Sequence, residues 1–474
     1  MMGAIVRLDS ISIENFKNVQ NGYLSFVNSR KFYRTSVLGL YGQNGSGKTA
    51  LIDAIELLQF VLKGQSIPAK FADYINIEAD FATLKYEFSV KIGEKRYQAS
   101  YKFKLSVAQE ESERNILLNE SEDMRCRPVI SDEILSYSYE DAENKIRKSP
   151  LIDTNSSRAF SPMGKYNCLI GKDKDVAINL IVAKKVILKS SRAFIFSKEL
   201  LTAMRNNSEV KFTDDYYRHM QLMESLVRYG NFELFVINTA NSGIISMNML
   251  PLRFKYEGAS HGTVGNILLP LDEAVPIPEE ALATVDKVID NMNVVLSQLV
   301  PGLTICAEKL GEILLENGKK GIKIQLMSLK NKEAIPLKYE SEGIKKIISM
   351  LQLLIVVYNQ SSITVAIDEM DAGVFEYLLG ELLRIISEKG KGQLLFTSHN
   401  LRPLETLDRG FIAFTTTNPK HRYIRMTNIK ESNNLRDFYF RDIILGEQSE
   451  EVYEQTDNAE IALAFREAGE PSGT

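Results

Sequence analysis

Cysteine is scarce in this chain. Among 474 residues only Cys126, Cys168 and Cys306 carry a thiol, and they lie far apart. An odd number at such spacing gives neither a disulfide framework nor a zinc site, and it fits a reducing cytosol. The four histidines leave little room for a histidine-rich metal centre. Charge of one sign is not in excess either: Lys and Arg number 57 against 61 Asp and Glu, a net charge of −4. That balance gives no global pull toward nucleic acid or an anionic membrane, and leaves a local basic groove open. Long apolar runs are missing. Leu351 to Tyr358 is among the longest and is too short to span a bilayer. Met1 to Arg7 lacks the basic-then-apolar layout of a signal peptide. Heptads of coiled-coil length, internal repeats and low-complexity tracts are also missing. The expectation is a cytoplasmic protein that does not enter a membrane.

What is present is a globular composition, 44% hydrophobic and 25% charged, long enough for one large or two to three ordinary domains. One stretch organises the rest. Gly42-Gln43-Asn44-Gly45-Ser46-Gly47-Lys48-Thr49 matches the full phosphate-loop pattern G-x-x-x-x-G-K-[ST]. The apolar run Val37 to Tyr41 before it reads as a buried strand, and Ala50 to Leu62 after it reads as a helix with a broad apolar face. Glycines let the backbone turn tightly and aim N–H groups at phosphate oxygens, and the helix start adds partial positive charge. Lys48 would reach the β- and γ-phosphates of ATP, and Thr49 would hold Mg²⁺.

Around this loop the periodicity changes along the chain. Arg7 to Phe26 alternates loosely and predicts a hairpin turning at Asn21-Gly22. Phe81 to Leu105 follows a period of two with a turn at Gly93-Glu94, and Ile134 to Tyr139 adds a further strand, which together predict an antiparallel sheet. Gln109 to Asp123 and Ser149 to Lys165 read as loops. Asp175 to Lys189 fits a helix or a strand. Asp214 to Tyr229 and Pro278 to Leu299 have helical spacing, and Leu303 to Leu326 alternates around a turn at Glu316-Asn317-Gly318.

Three more elements carry chemistry. Thr364 to Glu369 is a β-branched apolar run ending in two acids. Asp368 would coordinate Mg²⁺, directly or through water, and Glu369 would polarise the attacking water. Gln393 to Asn400 is a second buried strand with a polar tip, from which His399 could donate to the γ-phosphate without a fixed full charge. Ser341-Glu342-Gly343 opens a helix and offers a hydroxyl, a bare backbone and a helix N-terminus to an anion.

The order of phosphate loop, Ser-x-Gly helix, acidic strand and strand–His resembles the ABC-type ATPase heads of the RecF, SMC and OLD group. Leu8 to Lys17 is similar to the first strand of those heads. Ser341-Glu342-Gly343-Ile344-Lys345-Lys346 and Asp368-Glu369-Met370-Asp371 look most like stand-alone bacterial AAA-family members found in phage-defence systems such as PARIS and Septu. The resemblance covers Arg7 to Leu62 and Leu337 to Thr416. The signature keeps only Ser-x-Gly of the transporter Leu-Ser-Gly-Gly-Gln. The resemblance implies a head-to-tail dimer, or a higher homo-oligomer, with ATP at the interface. Ser341 and Gly343 of one copy would contact the γ-phosphate on Lys48 of the other, and Asp371 would lie in the loop crossing between the sites. Lys17 and Asn18 would lie near the base or ribose. No glutamine is assigned to the link between Mg²⁺ and the β-rich subdomain; Ser191 and Arg192 fall nearest to it.

The expected fold is α/β: a P-loop ABC ATPase head with an antiparallel β subdomain and a mostly helical insert. Residues 1–195 would form the first half of the head, 196–330 the insert, 331–430 the second half and 431–474 a tail. Only 75 residues follow His399, too few for an appended nuclease domain. The expected function is therefore an ATPase without nuclease activity of its own, acting as sensor or scaffold in anti-phage defence. It would control a separate effector protein, a nuclease, with nucleic acid or a phage protein as trigger. The alternative is a RecF-like ATPase that clamps DNA. The aromatic stretch Asn433 to Leu445, followed by acids, reads either as a docked helix or as a surface for a partner.

Overall fold

A computed structural model describes residues 3–27, 36–109, 126–206, 213–238, 249–257, 262–316, 318–330, 333–427, 434–446 and 448–469, with backbone alone at 253–257 and 262–266. The chain opens with β1 (Ile5–Phe16) and β2 (Val19–Ser25), an antiparallel pair. Their turn is Lys17-Asn18: Phe16 faces Val19 across it, and Lys17 takes a φ of 53°. Asn21-Gly22, expected as the turn, lies inside β2 opposite Glu14 and Ile13. The reason lies outside the hairpin. A Cβ on Gly22 would stand 2.6 Å from the ring of Tyr423, so glycine here serves a close approach between elements.

Strand β3 (Ser36–Tyr41) is buried at every position and leads through the glycine loop into α1 (Lys48–Leu62). Strands β4 (Phe81–Ile92) and β5 (Lys95–Gln109) turn at Gly93-Glu94 as expected. With β6 (Cys126–Glu140) and β7 (Lys145–Asp153) they complete a six-stranded antiparallel sheet in the order β2-β1-β4-β5-β6-β7. The first residues of the 149–165 stretch, expected as loop, belong to β7. Pro150 hides a strand that an outer position tolerates, since among the described residues β6 is the one strand that pairs with β7. That stretch also enters α2 (Met163–Leu169). Residues 110–123 of the acidic stretch lie outside the described residues.

Helix α3 (Lys174–Lys189) resolves the helix-or-strand alternative, with Asp173 capping it by accepting from the N–H groups of Asp175 and Val176. Then follow α4 (Lys198–Arg205), α5 (Asp214–Phe232) and β8 (Leu234–Ile237). Strands β9 (Met249–Glu257) and β10 (Gly262–Pro270) pair as a hairpin. A small sheet is built from β11 (Val275–Pro278), β12 (Leu303–Leu314), β13 (Lys320–Lys330) and β14 (Glu333–Pro336), with α6 (Glu279–Leu299) packed on β12. The 196–330 stretch thus has the helices its spacing predicts and contributes strands as well.

The C-terminal part supplies α7 (Glu342–Asn359), β15 (Thr364–Ile367), α8 (Glu376–Lys389), β16 (Gln393–Thr397), α9 (Arg402–Thr406), β17 (Ile412–Thr415), β18 (Tyr423–Ile424), α10 (Leu435–Leu445) and α11 (Asn458–Gly469). The main sheet runs β18-β17-β3-β16-β15-β8, parallel apart from β18. Its strands are continuous apolar runs because both faces are covered. Helix α1 lies between the two large sheets, which explains its burial on nearly all sides. Tyr86 from β4 donates to the Ala54 carbonyl at 2.6 Å, and Gln59 donates to the Leu234 carbonyl of β8. Gln393 ties the sheets together by exchanging two hydrogen bonds with the backbone of Leu8, both 2.8 Å. Leu435, Phe438 and Tyr439 dock α10 against the main sheet, with Tyr439 at 4.8 Å from Phe414. Among the described residues no helix is long and apolar enough to cross a membrane.

Gly22→Val should overpack the Tyr423 contact and cost about 1–3 kcal/mol, read as a lower urea midpoint at unchanged slope. A midpoint equal to the wild type would contradict the contact.

Candidate nucleotide site

The site is built at the carboxyl ends of three adjacent parallel strands. β16 lies between β3 and β15, with Phe396 in register with Gly39 on one side and Ile367 on the other. The glycine loop, the Asp368-Glu369 pair and the Ser398-His399 tip therefore emerge side by side, in the crevice where open parallel sheets bind ligands. A cleft of about 320 Å³ is lined by Lys17, Asn18, Asn44, Gly45, Gly47, Lys48, Thr49, Asp368, Glu369 and His399, all expected from the sequence, and by Ala50 and Thr397.

The loop's geometry explains its glycines. Gly45 and Gly47 take φ of 76° and 94°, a region other residues enter only at a cost. Gly42 lines a neighbouring cavity, and a Cβ there would stand 1.8 Å from Thr415 Oγ1. Ser46 turns its hydroxyl away from the cleft, to the Gln43 carbonyl at 2.5 Å and to Thr415. Lys48 donates to the carbonyls of Gly42 and Gln43, both at 2.9 Å. Burial pulls the Lys48 ammonium below its ordinary pKa, and Asp368, Glu369 and Asp371 oppose that shift.

The acids are held by a residue that the sequence did not single out. Thr397, at the end of β16, donates its hydroxyl to Asp368 at 2.5 Å and accepts from the Glu369 N–H at 2.7 Å. Asp368 is buried, whereas Glu369 projects into the open with a φ of 46°, unusual for a residue with a Cβ. Asp371 accepts from the backbone N–H groups of His399 and Asn400 at 3.0 and 2.9 Å, which fixes the histidine tip against the loop after the acids.

Lys17 and Asn18 reach the site through the β1–β2 turn. Lys17 pairs with Asp53 of α1 and lies 3.9 Å over the Tyr74 ring. Asn18 donates to the Gly45 carbonyl, and Tyr423 donates to the Gly47 carbonyl at 3.0 Å, so the loop is braced from outside.

Ser341 and Gly343 are not brought into this cleft. Ser341 is exposed and caps α7, accepting from the Ile344 N–H at 3.4 Å. Gly343 packs against the loop after β15: a Cβ on it would stand 2.2 Å from the Gly373 carbonyl oxygen. Ser191 and Arg192 are also elsewhere. The Ser191 carbonyl accepts from Ile67 N–H beyond the far end of α1, and Arg192 pairs with Glu199 at 2.9 Å. At the usual rise per residue, roughly 20 Å of α1 lies between them and the phosphate loop. The strand beside the acids, β8, is followed instead by buried Asn238. Its Nδ2 donates to Glu56 of α1 at 2.8 Å, and its Oδ1 has no hydrogen-bond partner among the described residues.

Thr397→Val keeps the shape and removes the hydroxyl that holds both acids. ATP hydrolysis should fall about 10- to 100-fold, the worth of one buried hydrogen bond to a charged group, with ATP binding within a few-fold of wild type. Wild-type turnover would show that the acids do not need this support.

A search among curated proteins finds no match. Similar solved structures are SMC heads. One is an SMC head bound to the C-winged helix domain of ScpA, 12% identical with a TM-score of 0.37, covering 89% of this chain and 98% of that one. Another, from Pyrococcus furiosus, has an extended coiled coil and is bound to the C-terminal domain of ScpA; it is 12% identical, with a TM-score of 0.37 and coverage of 89% and 96%. The SMC head from Thermotoga maritima is 13% identical, with a TM-score of 0.35 and coverage of 89% and 99%. The model of the AAA ATPase domain matches residues 7–402, from β1 past the phosphate loop, the acids and the histidine tip, and the chain accordingly belongs to that family of ATP-binding ATPases.

Proposed function

We propose that the protein is an ATP-driven switch whose site is completed by a second copy of the chain. The observation that carries this is the separation within one chain of Ser341 and Gly343 from the cleft that holds Lys48. The α7 start presents an exposed hydroxyl and a helix N-terminus outward, as an anion held by another copy would need. Exposed aromatic residues flank it. Tyr339 is 69% exposed and precedes Ser341; Phe375 is 71% exposed and follows the Asp371 loop. Large exposed rings beside a functional element suit burial at an interface.

Each cleft residue then has a role. Lys48 exchanges its loop carbonyls for the β- and γ-phosphates, and the loop N–H groups surround them. The Thr49 hydroxyl and the Asp368 carboxylate are hard oxygen donors beside the phosphate loop, a set that fits Mg²⁺. When bound, that ion neutralises phosphate charge. Glu369, the exposed acid, polarises the attacking water, and His399 donates to the γ-phosphate. Ser341 and Gly343 close the site from the other copy, and Asp371 couples the crossing loop to the histidine tip.

Closure and opening serve bacterial anti-phage defence by controlling a separate effector, a nuclease. The likeness of 341–346 and 368–371 to stand-alone defence ATPases supports this finer reading. Native pull-down should recover that effector; salt-sensitive DNA binding by the closed dimer would instead support a DNA clamp. For the switch itself, Glu369→Gln should bind ATP, fail to hydrolyse it and run as a dimer in light scattering, while Lys48→Ala stays monomeric and nucleotide-free. A monomeric, ATP-loaded Glu369→Gln protein would contradict the proposal.

A further inference from the structure

The family match ends at residue 402, yet the chain returns to the phosphate loop well beyond it. The backbone N–H of Glu454 donates to Gln43 Oε1 at 2.9 Å. Within the loop, the Gln43 carbonyl accepts from Lys48 Nζ at 2.9 Å and from the Ser46 hydroxyl at 2.5 Å. The residue that holds the loop's lysine is therefore itself held from the tail. The segment before Glu454 is anchored and can bear on the loop. Thr417, after β17, donates its N–H to the Glu451 carbonyl at 2.8 Å, and Asn418 Nδ2 donates to Glu450 Oε2 at 3.0 Å. Val452 is buried in the same hydrophobic core as Phe414 and Tyr439. Tyr453, with Tyr439 and Phe440 of α10, lines a cavity of about 380 Å³ that Gly42, Gln43 and Asn44 line from the loop. Loop and tail are thus not packed solid here, and the hydrogen bond bridges them. The bridged loop already has the shape a phosphate needs, with Gly45 and Gly47 in the left-handed region.

We propose that Gln43 and Glu454 are positioning residues, a latch that holds the phosphate loop in its binding shape from a tail outside the matched family domain. This rests on the nucleotide-site reading above. Neither residue lines the cleft itself, so the latch acts on nucleotide binding and not on the chemical step. The coupling is reciprocal: a bound nucleotide strengthens the latch by the factor by which the latch strengthens binding. Occupancy of the cleft is thereby passed to the segment that carries α11, every residue of which is exposed.

The test titrates the full chain with a fluorescent, non-hydrolysable ATP analogue and follows ATP hydrolysis beside it. Glu454→Pro removes the N–H and should weaken analogue binding and raise KM about two- to fivefold, with kcat within about twofold of wild type. Glu454→Ala keeps the N–H and should behave as wild type. Gln43→Leu removes the acceptor and gives the same titration if the proline variant does not fold. The double variant should bind no more weakly than the weaker single variant, because both remove one interaction. In the wild type, bound analogue should slow hydrogen exchange at the Glu454 amide. Wild-type affinity in Glu454→Pro and Gln43→Leu, additive losses in the double variant, or exchange that the analogue does not slow overturns the inference while leaving the nucleotide site intact. A wild-type chain that does not bind the analogue overturns the nucleotide reading itself.

Discussion

The placement of β16 between β3 and β15 is the constraint on which the site depends. Parallel pairing brings three loop tips to one edge, although the segments lie far apart in the chain. Thr397 then converts that alignment into chemistry. From the central strand its hydroxyl holds Asp368 and fixes the Glu369 N–H, leaving the buried acid aimed inward and the next acid exposed. The phosphate loop needs further support because its glycines supply no side chains of their own. Asn18, Tyr423 and Thr415 brace it from the antiparallel sheet and from β17–β18.

A second constraint links the acids to the surface. The Gly343–Gly373 approach leaves no room for a Cβ, so the start of α7 and the loop after β15 are packed as one piece. The same loop holds the backbone of His399 and Asn400 through Asp371. In the proposed dimer, a phosphate gripped by Ser341 in one cleft acts on a segment tied to the acids and histidine of the other cleft. Two-state packing of this kind passes a local contact between sites. Glycine at 343 therefore has two physical reasons, an open backbone toward an anion and a tight contact within its own chain.

The cleft was largely legible in the sequence because each of its strands ends in a short, unusual polar tip. Lys48, Thr49, Asp368, Glu369 and His399 could be named from such tips. Thr397 could not, because one hydroxyl in a buried strand has no pattern; its importance comes only from pairing with β15. Asn238 was hidden for the same reason, just after a four-residue strand inside a stretch expected to be mostly helical. Asn21-Gly22 misled because a strong local turn signal was outweighed by a tertiary contact, the Tyr423 ring, that no local pattern records. The polar run Asp153 to Ser157 misled in the opposite direction, because the loop it marks begins only after the end of an outer strand, β7.

The central claim is that each cleft takes its phosphate contacts from two copies of the chain. Mixing Lys48→Ala with Ser341→Arg protein tests this most directly. Each variant alone should be inactive in ATP hydrolysis. The mixed dimer pairs an intact phosphate loop from one chain with an intact Ser341 from the other, and should recover activity. Wild-type hydrolysis by Ser341→Arg alone, or a mixture no more active than its parts, would contradict a shared site.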